Sequence, residues 1–168
     1  MKTWVYALLF LSLAACGKQP LEDVGAGGGD GKIPSPGGPQ TCTDPSCYTK
    51  LELNTVRDGY SDPITIVNRA CQEMSEEQAL DMFTFGYIGH DREEQPGRPA
   101  EKFRKRLKRF NLLDGWTTEF LAEAGNLKEA FQIWKADPAV VDLIRNPNFT
   151  SYGIANKENL YVLCMTSL

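Results

Sequence analysis

Histidine is nearly absent: His90 is the only one in 168 residues. A metal centre built on several imidazoles is therefore excluded. Any His-dependent acid–base step must pass through this one ring. No Cys-x-x-Cys pair exists, which argues against a zinc ribbon or finger. Basic residues are not in excess, at 18 Lys and Arg against 22 Asp and Glu, so nothing points to nucleic acid. The Gly25–Gly29 run has no strand before it and no helix after it, so it is no phosphate cradle. A Gly-x-Ser-x-Gly elbow is missing, and so are internal repeats. Beyond the N-terminus, no apolar run is long enough to span a bilayer.

What is present begins at the N-terminus. Lys2 precedes the apolar stretch Trp4 to Leu13, which ends in Leu13-Ala14-Ala15-Cys16. A charged start, a short apolar middle and small residues at the cut describe a secretory signal over residues 1–15. Closed by Cys16, the site resembles the bacterial lipobox. That resemblance implies a lipidated Cys16 as the first mature residue, anchored in a membrane by acyl chains worth about 0.8 kcal/mol per buried methylene. Gly17 rather than Asp follows the cysteine, and by enterobacterial sorting this implies the outer membrane. Residues 16–41 are rich in glycine and proline, with few side chains to bury, and read as a flexible tether. The globular part is residues 42–168, enough for one core.

Four cysteines remain once Cys16 is assigned to lipid: Cys42, Cys47, Cys71 and Cys164. An even number outside the cytoplasm favours disulfides, with three pairings open. Thr43-Asp44-Pro45-Ser46 is a good turn, so Cys42–Cys47 is favoured. Cys71–Cys164 then ties an early helix to the last strand.

Helices are expected over Tyr48–Arg57 and over about Thr65–Phe83, where Val67, Cys71, Met74, Gln78 and Met82 share a face. Ser75-Glu76-Glu77-Gln78 resembles a capping box, which leaves open a division into two helices. Phe85 to His90 leads into a loop. Pro99 opens a helix with Phe103, Leu107 and Phe110 on one side and Lys and Arg on the solvated other, a face that also suits anionic lipid headgroups. Asn126 with Glu129 caps a helix carrying Leu127, Ala130, Phe131 and Trp134. Asp137-Pro138 starts another, which Asn146-Pro147 stops. Strands are expected around Trp116–Leu121, Phe149–Ala155 and Leu160–Thr166. Helices first and strands later give an α+β class.

Ordered landmarks then appear: Leu53-Asn54-Thr55-Val56-Arg57, Gln78-Ala79-Leu80-Asp81-Met82, Gly86-Tyr87-Ile88-Gly89-His90, Thr118-Glu119-Phe120-Leu121-Ala122, Trp134, Asp137 to Thr150, and Tyr152-Gly153-Ile154-Ala155. Their order and spacing resemble the bacterial branch of the CAP superfamily, the SCP-like extracellular domain. The resemblance covers nearly all of Leu51 to Leu168. It implies an α-β-α sandwich around a central antiparallel sheet. It also implies a cleft of two histidines and two acids able to hold a divalent metal such as zinc. His90 takes the first histidine position, Glu119 the Glu of the Gly-Glu-Asn motif, and Asp137 the second acid. Val140 stands where the family has its second histidine.

The eroded set points to an envelope lipoprotein whose domain binds a small ligand, glycan or protein without catalysis. A metal-assisted hydrolase using His90, Glu119 and Asp137 is the alternative, and a structural or adhesive envelope component is a third. No cofactor is firmly implied. The expected partners are the membrane, through Cys16, and an envelope ligand or protein.

Overall fold

The structure, a computed structural model, describes residue 42 and residues 44–168. The signal peptide over 1–15, the lipidation of Cys16 and the tether over 16–41 lie outside the described residues.

Asp44 accepts the Cys47 N–H at 2.8 Å and Pro45 follows it, so α1 (Pro45–Arg57) starts three residues before its apolar periodicity does. The expected helix from Thr65 begins later. Ile66–Val67 instead form a two-residue strand, β1, and Asn68 caps α2 (Arg69–Phe85) by accepting from Cys71 N–H at 3.0 Å. Ile66 and Val67 are β-branched and pair with a later strand, a tertiary contact that overrides the helical pattern. Ser75 does not start a second helix, because its side chain is buried mid-helix in α2. Gly86 ends α2 in the left-handed conformation (φ 66°).

The expected loop after His90 contains a small hairpin. Arg92 bridges Glu101, and Gln95 bridges Arg98 across Pro96-Gly97, where Gly97 has φ 78°. Pro99 therefore precedes the next helix rather than opening it, and α3 is short (Phe103–Arg109). Next come β2 (Thr117–Glu123), α4 (Leu127–Lys135), α5 (Pro138–Arg145), β3 (Ser151–Lys157) and β4 (Leu160–Thr166). The caps read at Asn126 and Asp137 are both made, by side chains accepting from Glu129 and Ala139 N–H at 3.0 and 2.9 Å.

The sheet order is β1-β3-β4-β2. β2, β4 and β3 are antiparallel, as expected. β1 adds a parallel edge, so the sheet is mixed. Alternation gives each face its own core. Phe120, Tyr152, Leu163 and Met165 pack with α1, α4 and α5. Leu121, Leu160 and Val162 pack with α2, while Cys164 joins Cys71, Met74 and Leu107 of α2 and α3. The class is α+β, with helices on both sides of the sheet.

Both disulfides pair Cys42 with Cys47 and Cys71 with Cys164. α2 lies so close to β3 that a Cβ at Gly153 would collide with the backbone of Cys71 and Gln72.

Among the described residues, no helix is long and apolar enough to cross a membrane.

Candidate functional site

The landmark residues turn out to be scaffolding. Asn54 bonds both backbone groups of Ile64, giving 3.1 Å to its carbonyl and 2.8 Å from its N–H. Arg57 is buried and donates to the carbonyls of Asp62, Ile144 and Asn146, at 2.8, 2.7 and 3.1 Å, so its cation closes the C-terminal end of α5. Burial holds its pKa below the usual arginine value, despite the charge of Asp62.

A second group of landmarks positions the segment carrying His90. Gln78 on α2 donates to the Gly89 carbonyl at 2.5 Å. Asp81, one turn further on, takes the guanidinium of Arg92 and that of Arg98. Asp91 accepts the Phe103 N–H at 2.7 Å and Lys102 Nζ at 3.0 Å, which fixes the start of α3. Arg109 spans Glu77 of α2 and Glu101 of the hairpin, and its pKa is raised by those carboxylates.

Inside this frame sits a buried trio. β2 aims Glu119 at the α2–α3 layer, opposite Cys164 in the ladder. His90 Nδ1 lies 2.9 Å from Glu119 Oε2. Arg106 Nη2 lies 2.8 Å from Oε1 and 3.0 Å from Oε2. The side chains of Glu119 and Arg106 are 0% and 1% exposed, and His90 is 6% exposed, so water screens little of their interaction. A carboxylate only accepts, so Nδ1 carries the proton in this contact. The ring also packs against Phe103, with centroids 5.8 Å apart. Arg106 Nε and Nη1 are buried with no hydrogen-bond partner among the described residues.

His90 and Glu119 are thus brought together as the resemblance implied, and Asp137 is not with them. It caps α5, whose Val140 and Ile144 sit in the core on the other face of the sheet. Among the described residues, no three His, Cys, Asp or Glu side chains converge as a metal-ligand set.

The sequence reading missed Arg106, which it placed on the solvated side of α3. Arg104, Lys105 and Lys108 are indeed exposed, but Arg106 is buried. The signal was available: Phe103, Arg106, Leu107 and Phe110 form one i, i+3, i+4, i+7 stripe, and an arginine on an apolar stripe needs a carboxylate beneath it.

No protein-family model matches the sequence, and no curated protein does. Two solved structures share the fold. An outer surface protein of Borrelia burgdorferi superposes with a TM-score of 0.59 at 14% identity, covering 72% of this chain and 90% of its own. An extracellular protein of Bacillus anthracis containing an SCP domain superposes with a TM-score of 0.56 at 16% identity, over 79% of this chain. The match spans only 45% of the Bacillus protein. At these identities the likeness carries the fold: the domain has an SCP-like architecture.

Proposed function

We propose that this chain is an extracytoplasmic, membrane-anchored envelope protein whose SCP-like domain binds a partner and performs no catalysis. The observation that carries the non-catalytic reading is the engagement of Glu119. Both of its oxygens are taken by Arg106, and one also meets His90. A guanidinium here already supplies the positive charge that a divalent cation would bring, and would repel one. Val140, at the expected second histidine position, is buried hydrocarbon. The residues present do not fit a divalent metal. The same burial withholds His90 from any substrate as a general base. The trio's work is to hold α3 and the hairpin onto the sheet.

Two disulfides agree with an oxidising compartment. The lipobox-like Leu13-Ala14-Ala15-Cys16 supports the anchor, and fold neighbours described as outer surface and extracellular proteins fit the location.

Calorimetry of the full chain in detergent micelles against zinc tests the non-catalytic reading. No micromolar binding is expected. Binding that disappears in His90→Ala would overturn it. Labelling cells with a radioactive fatty acid tests the anchor, and label retained in Cys16→Ser would refute it.

A further inference from the structure

The sheet ends in an edge that is only partly covered. β1 pairs with β3 at two positions, Ile66 with Ser151 and Val67 with Tyr152, while β3 continues to Lys157. Every second residue of β3 turns its backbone groups away from β4. Tyr152 does so, and its carbonyl accepts the Asn68 N–H at 2.7 Å. Ile154 does so, and its N–H donates to Gln72 Oε1 at 2.9 Å. The same alternation sends the Ile154 carbonyl and the Asn156 N–H outward, with no partner among the described residues.

A cavity of about 510 Å³ opens along this stretch. Its apolar floor includes Val67, Leu127, Ala155 and Tyr161. Val67 and its neighbour Ile66 are exposed on the two-residue strand that ends there. The charged lining is of one sign. Asp44, at the start of α1, and Glu76, on α2, stand on opposite faces of the sheet, and no Lys or Arg lines the cavity. An unpaired edge, an apolar floor and a carboxylate on each side fit an added strand whose side chains alternate between the two faces.

We propose that this edge is a docking site for an extended peptide segment of a partner protein that carries basic residues beside aliphatic ones. The peptide extends the sheet past β1, bonding the Ile154 carbonyl and the Asn156 N–H and directing its cations to Asp44 and Glu76. This rests on reading the domain as a binding module and supplies the class of its partner. The zinc experiment does not touch this edge, so the two ideas fail separately.

The test uses the full chain in detergent micelles and fluorescence anisotropy. The probe is a labelled hexapeptide Val-Val-Lys-Lys-Val-Val, whose adjacent lysines fall on opposite faces of a strand, with Val-Val-Glu-Glu-Val-Val as control. The lysine peptide is expected to bind at least about tenfold more tightly than the glutamate peptide, in proportion to the loss of an opposite-charge contact. Asn156 is exposed on the edge, so Asn156→Pro removes the donor without disturbing the ladder to β4. It is expected to weaken binding about tenfold. Glu76→Lys, at an exposed helical site, leaves one carboxylate against one cation; it is expected to abolish the preference for lysine and guards against misfolding of the proline variant. Equal binding of both peptides by the parent, or none, overturns the proposal, as does unchanged binding by a folded Asn156→Pro. Binding seen only after deletion of residues 17–41 makes the occupant the chain's own segment and overturns the external partner.

Discussion

Replacing Glu119 by leucine isolates the cost of the buried trio. Arg106 donates to both Glu119 oxygens, and its Nε and Nη1 have no other described partner. The substitution therefore leaves a whole guanidinium buried without a counter-charge. Breaking a buried pair from one side costs about 3–5 kcal/mol. For a domain of roughly 125 residues the entropy of unfolding is about 0.26 kcal/mol/K, so the melting point should fall by about 11–19 °C. The double variant Glu119→Leu with Arg106→Met removes both charges and keeps the volume. It should recover most of that loss, because apolar replacement of a buried pair is often near neutral. Recovery should stop about 1–3 kcal/mol short, since His90 Nδ1 loses the carboxylate it meets at 2.9 Å. Differential scanning calorimetry of the parent, both singles and the double reads the whole cycle. A Glu119→Leu melting point within about 3 °C of the parent refutes the reasoning, because 1 kcal/mol already corresponds to roughly 4 °C. A double variant no more stable than the single refutes it equally.

Three further expectations follow from the packing. Gly153→Ala should destabilise by at least about 1–3 kcal/mol, because the new Cβ meets backbone rather than a yielding side chain; an unchanged melting point would contradict the close approach of α2 to β3. Arg57→Met should cost about 3 kcal/mol by unbinding three carbonyls, and Arg57→Lys should restore only part of it, since one ammonium does not span Asp62, Ile144 and Asn146; urea melts measure both. Acid stability should track three carboxyls. Burial pushes Glu101, Asp91 and Glu52 up, and their partners more than offset it: Arg109 for Glu101, the Phe103 N–H and Lys102 for Asp91, Lys135 and Tyr48 for Glu52. Their folded pKa values lie below the ordinary 4.5 of Glu and 3.8 of Asp. The stability they add is therefore complete above those values and lost as pH falls through the folded ones. Melting points taken downward from pH ~6 should stay level and then drop below pH ~4.5, and a level curve to pH ~3 would sink this account.

Local chemistry was legible wherever it involved neighbours in sequence. Asn126 and Asp137-Pro138 announce their helices because a cap needs only the next few residues. The turn between Cys42 and Cys47 made that pair readable, and the second pair followed from it. Edges were not legible. Ile66 and Val67 are strand only because β3 lies beside them, and two residues carry no periodicity of their own. In the site, His90 and Glu119 were found through the family-like landmarks, whereas Asp137 was carried over by position alone. Its sheet face depends on Val140 and Ile144 packing, which spacing from Trp134 does not reveal. Arg106 was hidden by the charge of its neighbours, and only its place on the apolar stripe gave it away.

The Cys71–Cys164 bond has a mechanical consequence. It joins residues 93 apart and turns most of the domain into a covalent ring holding nearly all of α2, the hairpin, α3, β2, α4, α5, β3 and β4 as far as Cys164. α1 and β1 lie outside the ring on one side, and Met165 to Leu168 on the other. When the chain is pulled by its ends, tension crosses between the sulfurs and bypasses the ring. The Cys42–Cys47 bond shorts the first loop in the same way, so the stretch from Cys47 to Cys71 pays out at most about 85 Å of slack, at roughly 3.5 Å per residue, after which further extension stops. Handled by its N-terminal end, the domain behaves as a short fuse attached to a locked loop.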